Sequence, residues 1–242
     1  MQNNDIKKPS RPVTRQGQIE HILNQLSPEQ LRAFVQEKAL QDEDFRDTLL
    51  ICFSDLLGSD EPAEPKYRQM LTEMARRYAN NEGYIHSASA QNLTEAIRKM
   101  LEVARKATTP TRETTDLCLA VIGELPRLAD KMEDPEEHLY ALMRTACTTL
   151  WECYSVLPPE RQQTLFDRIA QEYGNPVYVD LDLDNSLLSL LKDWARNDKK
   201  RQTTCLRQLE QLLKSPAKDN WRKNYLLEQT NNLIKFWTGD PL

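Results

Sequence analysis

Residues 87–106 read SASAQNLTEAIRKMLEVARK, and this stretch decides the fold class. Ser87 or Ser89 is a natural N-cap, because a short hydroxyl side chain accepts from the free N–H groups of a first helical turn. Leu93, Ile97, Met100, Leu101 and Ala104 then recur at the three- and four-residue intervals that place side chains on one face of a helix. Glu, Arg and Lys fill the positions between. The segment predicts an amphipathic helix with one apolar stripe, too narrow to be buried without neighbours.

The same grammar extends in both directions. Upstream, Ile19, Ile22, Leu23 and Leu26 mark a short first helix. Ser27-Pro28-Glu29-Gln30 then gives a strong start signal, with Ser at the cap, Pro at the first helical position and Gln placed to close a capping box. Leu31, Phe34, Val35 and Ala39 line that second helix. Asp42 opens a third, with Phe45, Leu49, Cys52, Phe53 and Leu56 expected to face inward. The acid-rich segment 59–65 reads as a loop before a fourth helix on Tyr67, Met70, Leu71, Met74 and Tyr78.

Downstream, a turn around Pro110 precedes a sixth helix, from about Glu113 to Met132. Its internal Pro126 predicts a kink or break, since proline lacks the N–H and crowds the carbonyl one turn back. Asp134-Pro135 starts a seventh helix with Leu139, Leu142, Met143, Ala146, Leu150 and Cys153 on its stripe. An eighth follows Pro158-Pro159 and runs to about Tyr173. Residues 177–184, VYVDLDLD, instead alternate apolar and polar with period two. A single strand has no partner in a helical chain, so an extended connection is expected there. Three more helices follow, near 186–197, 199–213 and 218–237. The fold class is therefore all-α: an irregular α-solenoid or a compact array of antiparallel helix pairs, with about ten or eleven helices.

Residues 26–107 resemble the helical region that accompanies the SWIM zinc finger in bacterial proteins. The resemblance rests on Leu26-Ser27-Pro28-Glu29-Gln30-Leu31, on Asp44-Phe45-Arg46-Asp47 leading into Leu49-Leu50, and on Gly83-Tyr84-Ile85 before a long amphipathic helix. It covers about a third of the chain and implies an all-α helical-repeat region. The finger needs a C-x-C pair followed by C-x-H, which the sequence lacks, so the resemblance carries over no zinc binding.

Composition narrows the function. Six glycines in 242 residues are few for folds that cradle phosphates or turn sharply between strands, because those need positive φ or close backbone approach. No apolar run approaches the roughly 18–20 residues that span a bilayer, and the N-terminal MQNNDIKKPSRPVTRQG lacks the apolar core of a signal peptide. The cysteines (Cys52, Cys118, Cys147, Cys153, Cys205) are odd in number and lie mostly on apolar stripes, as reduced core thiols of a cytoplasmic protein would.

Catalytic and metal constellations are incomplete. Cys147 and Cys153, with His138 before them, miss the three- or four-residue spacing that lets two helical side chains share a metal. Asp180, Asp182 and Asp184 start like a calcium loop, but Asn185 and Leu191 stand where that loop needs Gly and Glu. His86-Ser87 has no third orienting group, and Ser87 sits where a helix cap is expected. No enzyme activity, cofactor or metal is expected.

Charge divides the chain. From Ser186 onward there are eleven Lys and Arg against six Asp and Glu, a net of +5; with −5 overall, residues 1–185 carry −10. This gives four segments: a flexible arm at 1–14, an acidic helical body at 15–173, an extended acidic connector at 174–185, and a basic helical segment at 186–242 packed on the body. Trp194 and Trp237 fall on helical stripes with Leu190, Leu191, Leu226 and Leu233, so they read as core. The leading functional expectation is a scaffold that holds a protein partner on a helical face. The alternative is a nucleic-acid accessory protein using Lys199, Lys200, Arg201, Lys218, Arg222 and Lys223.

Overall fold

The computed structural model describes residues 14–53, 63–106, 112–133, 135–215 and 220–239. It is all-helical, with twelve helices among the described residues. The chain divides into two compact units, residues 1–50 and 51–242. The arm expected at residues 1–14 lies almost wholly outside the described residues.

The first unit holds α1 (Arg15–Leu23), α2 (Pro28–Gln41) and most of α3 (Glu43–Cys52). Local chemistry sets each start. The Thr14 hydroxyl accepts from the Gly17 N–H at 3.1 Å. The capping box before α2 is complete, with Gln30 N–H donating to Ser27 Oγ at 3.2 Å and Ser27 N–H to Gln30 Oε1 at 2.9 Å. Asp42 Oδ1 accepts from the Phe45 N–H at 3.0 Å. The expected burial fails here: α1 and α2 contain no buried residue, and Ile19, Ile22, Leu23 and Phe34 are exposed. Helix signals depend on neighbours in sequence, whereas burial needs a covering surface that a stripe does not supply.

The second unit contains α4 (Glu64–Tyr78), α5 (Ser87–Lys106), α6 (Arg112–Ala129), α7 (Pro135–Tyr154), α8 (Pro159–Tyr173), α9 (Pro176–Asp180), α10 (Asp184–Trp194), α11 (Lys199–Lys214) and α12 (Asn220–Thr238). Phe53, expected inward, is exposed, and Leu56 lies outside the described residues. Helix α6 is the hub. It packs on α4, α5, α7 and α8 and buries Leu117 through Ile122 without interruption. Helices α4 and α6 lie together, as do α5 and α7, so each helix of one hairpin meets its counterpart in the next. Helix α10 bridges α7 and α8, and α11 carries α12. Leu93, Ile97, Met100 and Leu101, the stripe of residues 87–106, are all buried; each contributes about 1.5–3 kcal/mol.

Two loops tie the hairpins. Ile85 N–H donates to Lys131 O at 2.7 Å, and Glu133 N–H returns to Ile85 O at 2.9 Å, forming a single parallel bridge with Met132. Gly83, at φ +82°, makes this approach possible, and Asn80 Oδ1 accepts from the N–H groups of Glu82 and Tyr84.

Helix α6 runs on past Pro126 to Ala129 instead of breaking. Pro126 offers no N–H to the Ile122 carbonyl one turn back. That carbonyl accepts instead from the Tyr178 hydroxyl, at 3.0 Å, whose single proton is shared with Glu172 at 3.0 Å. A charged seam lies alongside. Arg68 reaches Glu64 at 2.9 Å and Glu124 at 3.3 Å, while Arg168 reaches Glu64 at 2.9 Å. Gly123 leaves room for it: a Cβ there would stand 2.0 Å from Arg68 Nη2, so the guanidinium would have to move.

The connector expected to be extended is a helical turn, α9. Asn175 caps it by accepting from the Val177 N–H at 3.2 Å, Pro176 occupies the first position, and Asp182 at φ 54° turns the chain into α10. Tyr178, Val179 and Leu183 are buried while Val177 and Leu181 are half-buried. Apolar residues at both parities are thus covered, which a one-faced strand does not do.

Candidate functional site

The structure puts the predicted basic residues to different uses. Lys199 and Lys200 are exposed in the first turn of α11, capped by Asp198, whose Oδ1 accepts from the Lys200 N–H at 2.9 Å and the Arg201 N–H at 3.2 Å. Arg201 folds inward. Its side chain is 13% exposed, donates to the Tyr154 hydroxyl, to Trp194 O at 3.2 Å and to Gln163 Oε1 at 3.0 Å, and lies over the Phe166 ring. Arg222 is 5% exposed, with Nη2 2.8 Å from Pro176 O and 2.7 Å from Asp180. It pins α12 to α9. Lys223 is exposed, and Lys218 lies outside the described residues.

These cations do not form one patch. Arg222, next to Lys223, meets Pro176 and Asp180 of α9, whereas Arg201, next to Lys199 and Lys200, meets Tyr154 and Trp194. The three aspartates of 180–184 also diverge: Asp180 meets Arg222, Asp182 makes the turn, and Asp184 is buried, accepting from the Tyr225 hydroxyl at 2.7 Å. Burial raises the Asp184 carboxyl above its ordinary range.

The surface that sequence reasoning missed is organised by α10. On one side, Trp151 of α7 stands 56% exposed in a groove it shares with Arg144, Thr148, Ser189, Leu190 and Asp193. The groove continues past Trp151 to Trp194, Arg196 and Arg201. Trp194 is buried, stacked on Tyr154 at 4.2 Å between ring centroids, and its Nε1 finds no acceptor among the described residues. The burial of the α7 stripe explains the exposure of Trp151. Leu139, Leu142, Met143, Ala146, Leu150 and Cys153 occupy the inward face, which rotates Trp151 outward. The signal was an off-stripe tryptophan.

On the other side of α10, a cleft of about 590 Å³ separates it from α12. Asn185, Ser189 and Lys192 line one wall, Gln229, Asn232 and Lys235 the other, with Leu188, Leu233 and Phe236 at its base. Phe236 lies 4.5 Å from Lys192 Nζ and 4.7 Å from the Arg196 guanidinium carbon. Trp237 closes the end of α12 onto α10 through its Nε1, which donates to Lys192 O at 3.1 Å. Ser189 belongs to both depressions, so α10 is the ridge between them.

Four of the five thiols are buried, and the Cys52 side chain lies outside the described residues. Desolvation raises Cys147 to about 12, Cys153 to about 11 and Cys205 to about 12, and it holds Cys118 well above the ordinary thiol value. They are held as protonated apolar groups. His86 lies 3.6 Å from Glu133, and Ser87 begins α5. Among the described residues, no three His, Cys, Asp or Glu side chains converge on a point that would hold a metal, and no helix is long and apolar enough to cross a membrane. The fold and surface define an all-α helical array with two depressions flanking one ridge helix. Compared with protein families, curated proteins and solved structures, the chain matches none of them.

Proposed function

We propose that this chain is a non-enzymatic protein-interaction or scaffold protein of the cytoplasm, and that it holds a protein partner on the face formed by α7, α10 and α12. The observation that carries this reading is Trp151, more than half exposed at the middle of a groove between two well-packed helices. An exposed tryptophan offers a large rigid contact area at little conformational cost, and such residues supply a disproportionate share of binding energy at protein interfaces. Rigid neighbours strengthen the case, since Leu150 and Leu190 anchor both walls in the core.

The nucleic-acid alternative has less support. Arg201 and Arg222, two of its six proposed contacts, are committed to internal partners, and Lys218 lies outside the described residues. A tagged full-length chain, recovered gently from its native cell, tests the interaction reading. Wild type is expected to retain a stoichiometric partner, and Trp151→Ala to lose it, with affinity falling about 30-fold or more. Equal retention by both, or no stoichiometric partner at all, overturns it.

A further inference from the structure

Some surface cations meet a carboxylate, as Arg98, Arg105, Arg127, Arg196 and Lys214 do. Others, Lys199, Lys200 and Lys223 among them, meet none among the described residues. The cleft between α10 and α12 holds two of the second kind, Lys192 and Lys235, and has no acidic lining residue. Ser189, Gln229 and Asn232 likewise make no side-chain hydrogen bond among the described residues. Lys192, in the last turn of α10, and Arg196, just past its end, both lie over the Phe236 ring. Arg196 already meets Asp193 at 3.3 Å, so the uncompensated charge at the cleft is that of Lys192 and Lys235.

We propose that this cleft binds an acidic, extended segment of the partner protein, its carboxylates meeting Lys192 and Lys235 and its backbone meeting the Gln229 and Asn232 carboxamides. This rests on the interaction reading and names the chemistry of its partner. A carboxamide donates and accepts at once, so it satisfies peptide C=O and N–H groups alike. Polar groups repeat along each wall at three- or four-residue spacing, about one per 5.4 Å turn. Alternate residues of an extended peptide are about 6.6 Å apart, so successive side chains on one peptide edge meet successive turns. The apolar base of Leu188 and Leu233 gives an apolar residue of that segment a place to bury. A nucleic-acid strand fits less well. It needs several phosphate contacts and an open aromatic face for a base, whereas two cations already cover Phe236.

The test is fluorescence anisotropy on the purified full-length chain with a short fluorescein-labelled glutamate-rich peptide. A lysine-rich peptide and a single-stranded DNA oligonucleotide of matched length serve as competitors. Binding of the glutamate-rich peptide is expected to weaken with salt, to resist the lysine-rich competitor, and to fall about tenfold or more in Lys192→Glu/Lys235→Glu. Lys192 rests on Phe236, so Lys235→Glu alone, which touches no ring, is the variant that separates lost binding from a displaced α12; circular dichroism confirms its fold. No binding, binding indifferent to Lys235→Glu, or displacement by the oligonucleotide each overturns the proposal. If cells still yield a partner whose retention depends on Trp151 while the peptide fails to bind, the interaction reading stands and the acidic-segment proposal falls.

Discussion

Replacing Tyr178 with phenylalanine isolates one hydrogen bond at the centre of the second unit. The side chain is essentially fully buried, and its hydroxyl donates to the Ile122 carbonyl, which Pro126 deprives of its usual helical donor. The substitution keeps the ring and leaves no cavity larger than the lost oxygen. What is lost is the satisfaction of a buried carbonyl, worth about 1–3 kcal/mol. Glu172 also loses a donor, but it keeps Arg68 and Arg168 at 3.7 Å each, so the cost falls mainly on Ile122, and Tyr178→Phe is expected to destabilise by about 1–2 kcal/mol. Pro126→Ala gives the control. Alanine supplies the missing N–H and is about 3 kcal/mol better than proline in a helix interior, offset by about 1 kcal/mol of unfolded-state entropy. The single variant should therefore gain about 2 kcal/mol. In the Pro126→Ala background, Tyr178→Phe should cost about 1 kcal/mol less than in the wild type. Urea unfolding followed by helical circular dichroism, at unchanged denaturant dependence, measures all four corners. Costs of Tyr178→Phe that agree within about 0.5 kcal/mol in the two backgrounds refute the reasoning, because the hydroxyl would then not be replacing the absent backbone donor.

Other perturbations follow from the same geometry. Asp184 has its carboxyl raised by burial, so the native state holds its proton more tightly than the unfolded chain does. The associated stability is complete below the unfolded value and is lost as pH rises through the folded one. Asp184→Asn, which still accepts from Tyr225, is expected to be more stable than wild type at neutral pH, with the gap closing on acidification; thermal melts across pH check the sign. Gly123→Ala gains about 1 kcal/mol of helix propensity but displaces Arg68 from Glu124, which is 3% exposed. Because Arg127 remains 3.2 Å from Glu124, the net expectation is a loss of only about 1 kcal/mol, read as a lower urea midpoint. Alkylation under native conditions is expected to spare Cys118, Cys147, Cys153 and Cys205 and to modify all four after unfolding, as peptide mass spectrometry resolves. Fast native labelling of Cys147 would show the α7–α10 groove opening to its floor.

Helices were legible in the sequence because their signals are local. Ser27 with Gln30, Asp42, and the Leu93–Ile97–Leu101 stripe each depend on residues within two turns, and all are realised. The connector failed for the converse reason. VYVDLDLD satisfies a period of two, but Asn175, Pro176 and the Tyr178–Ile122 bond make it a helical turn, and that bond joins residues 56 apart. The same long-range chemistry decided the site. Lys199, Lys200, Arg201, Arg222 and Lys223 are alike as letters, yet Arg201 and Arg222 answer a tyrosine, carbonyls and carboxylates supplied by other helices.

An unpaired charge is therefore the more telling property, and it is invisible until the partners are placed. Lys199, Lys200 and Lys223 are also without a carboxylate among the described residues, but the fold sets Lys192 beside a cleft that has no acidic lining residue. Trp151 shows the opposite balance. Its position one residue after Leu150 already takes it off the stripe that the rest of α7 follows. Exposed apolar residues occur elsewhere on the chain, Trp221 and Val156 among them, and what sets Trp151 apart is the groove in which it stands. The rigid walls of that groove join the architecture to the proposed function.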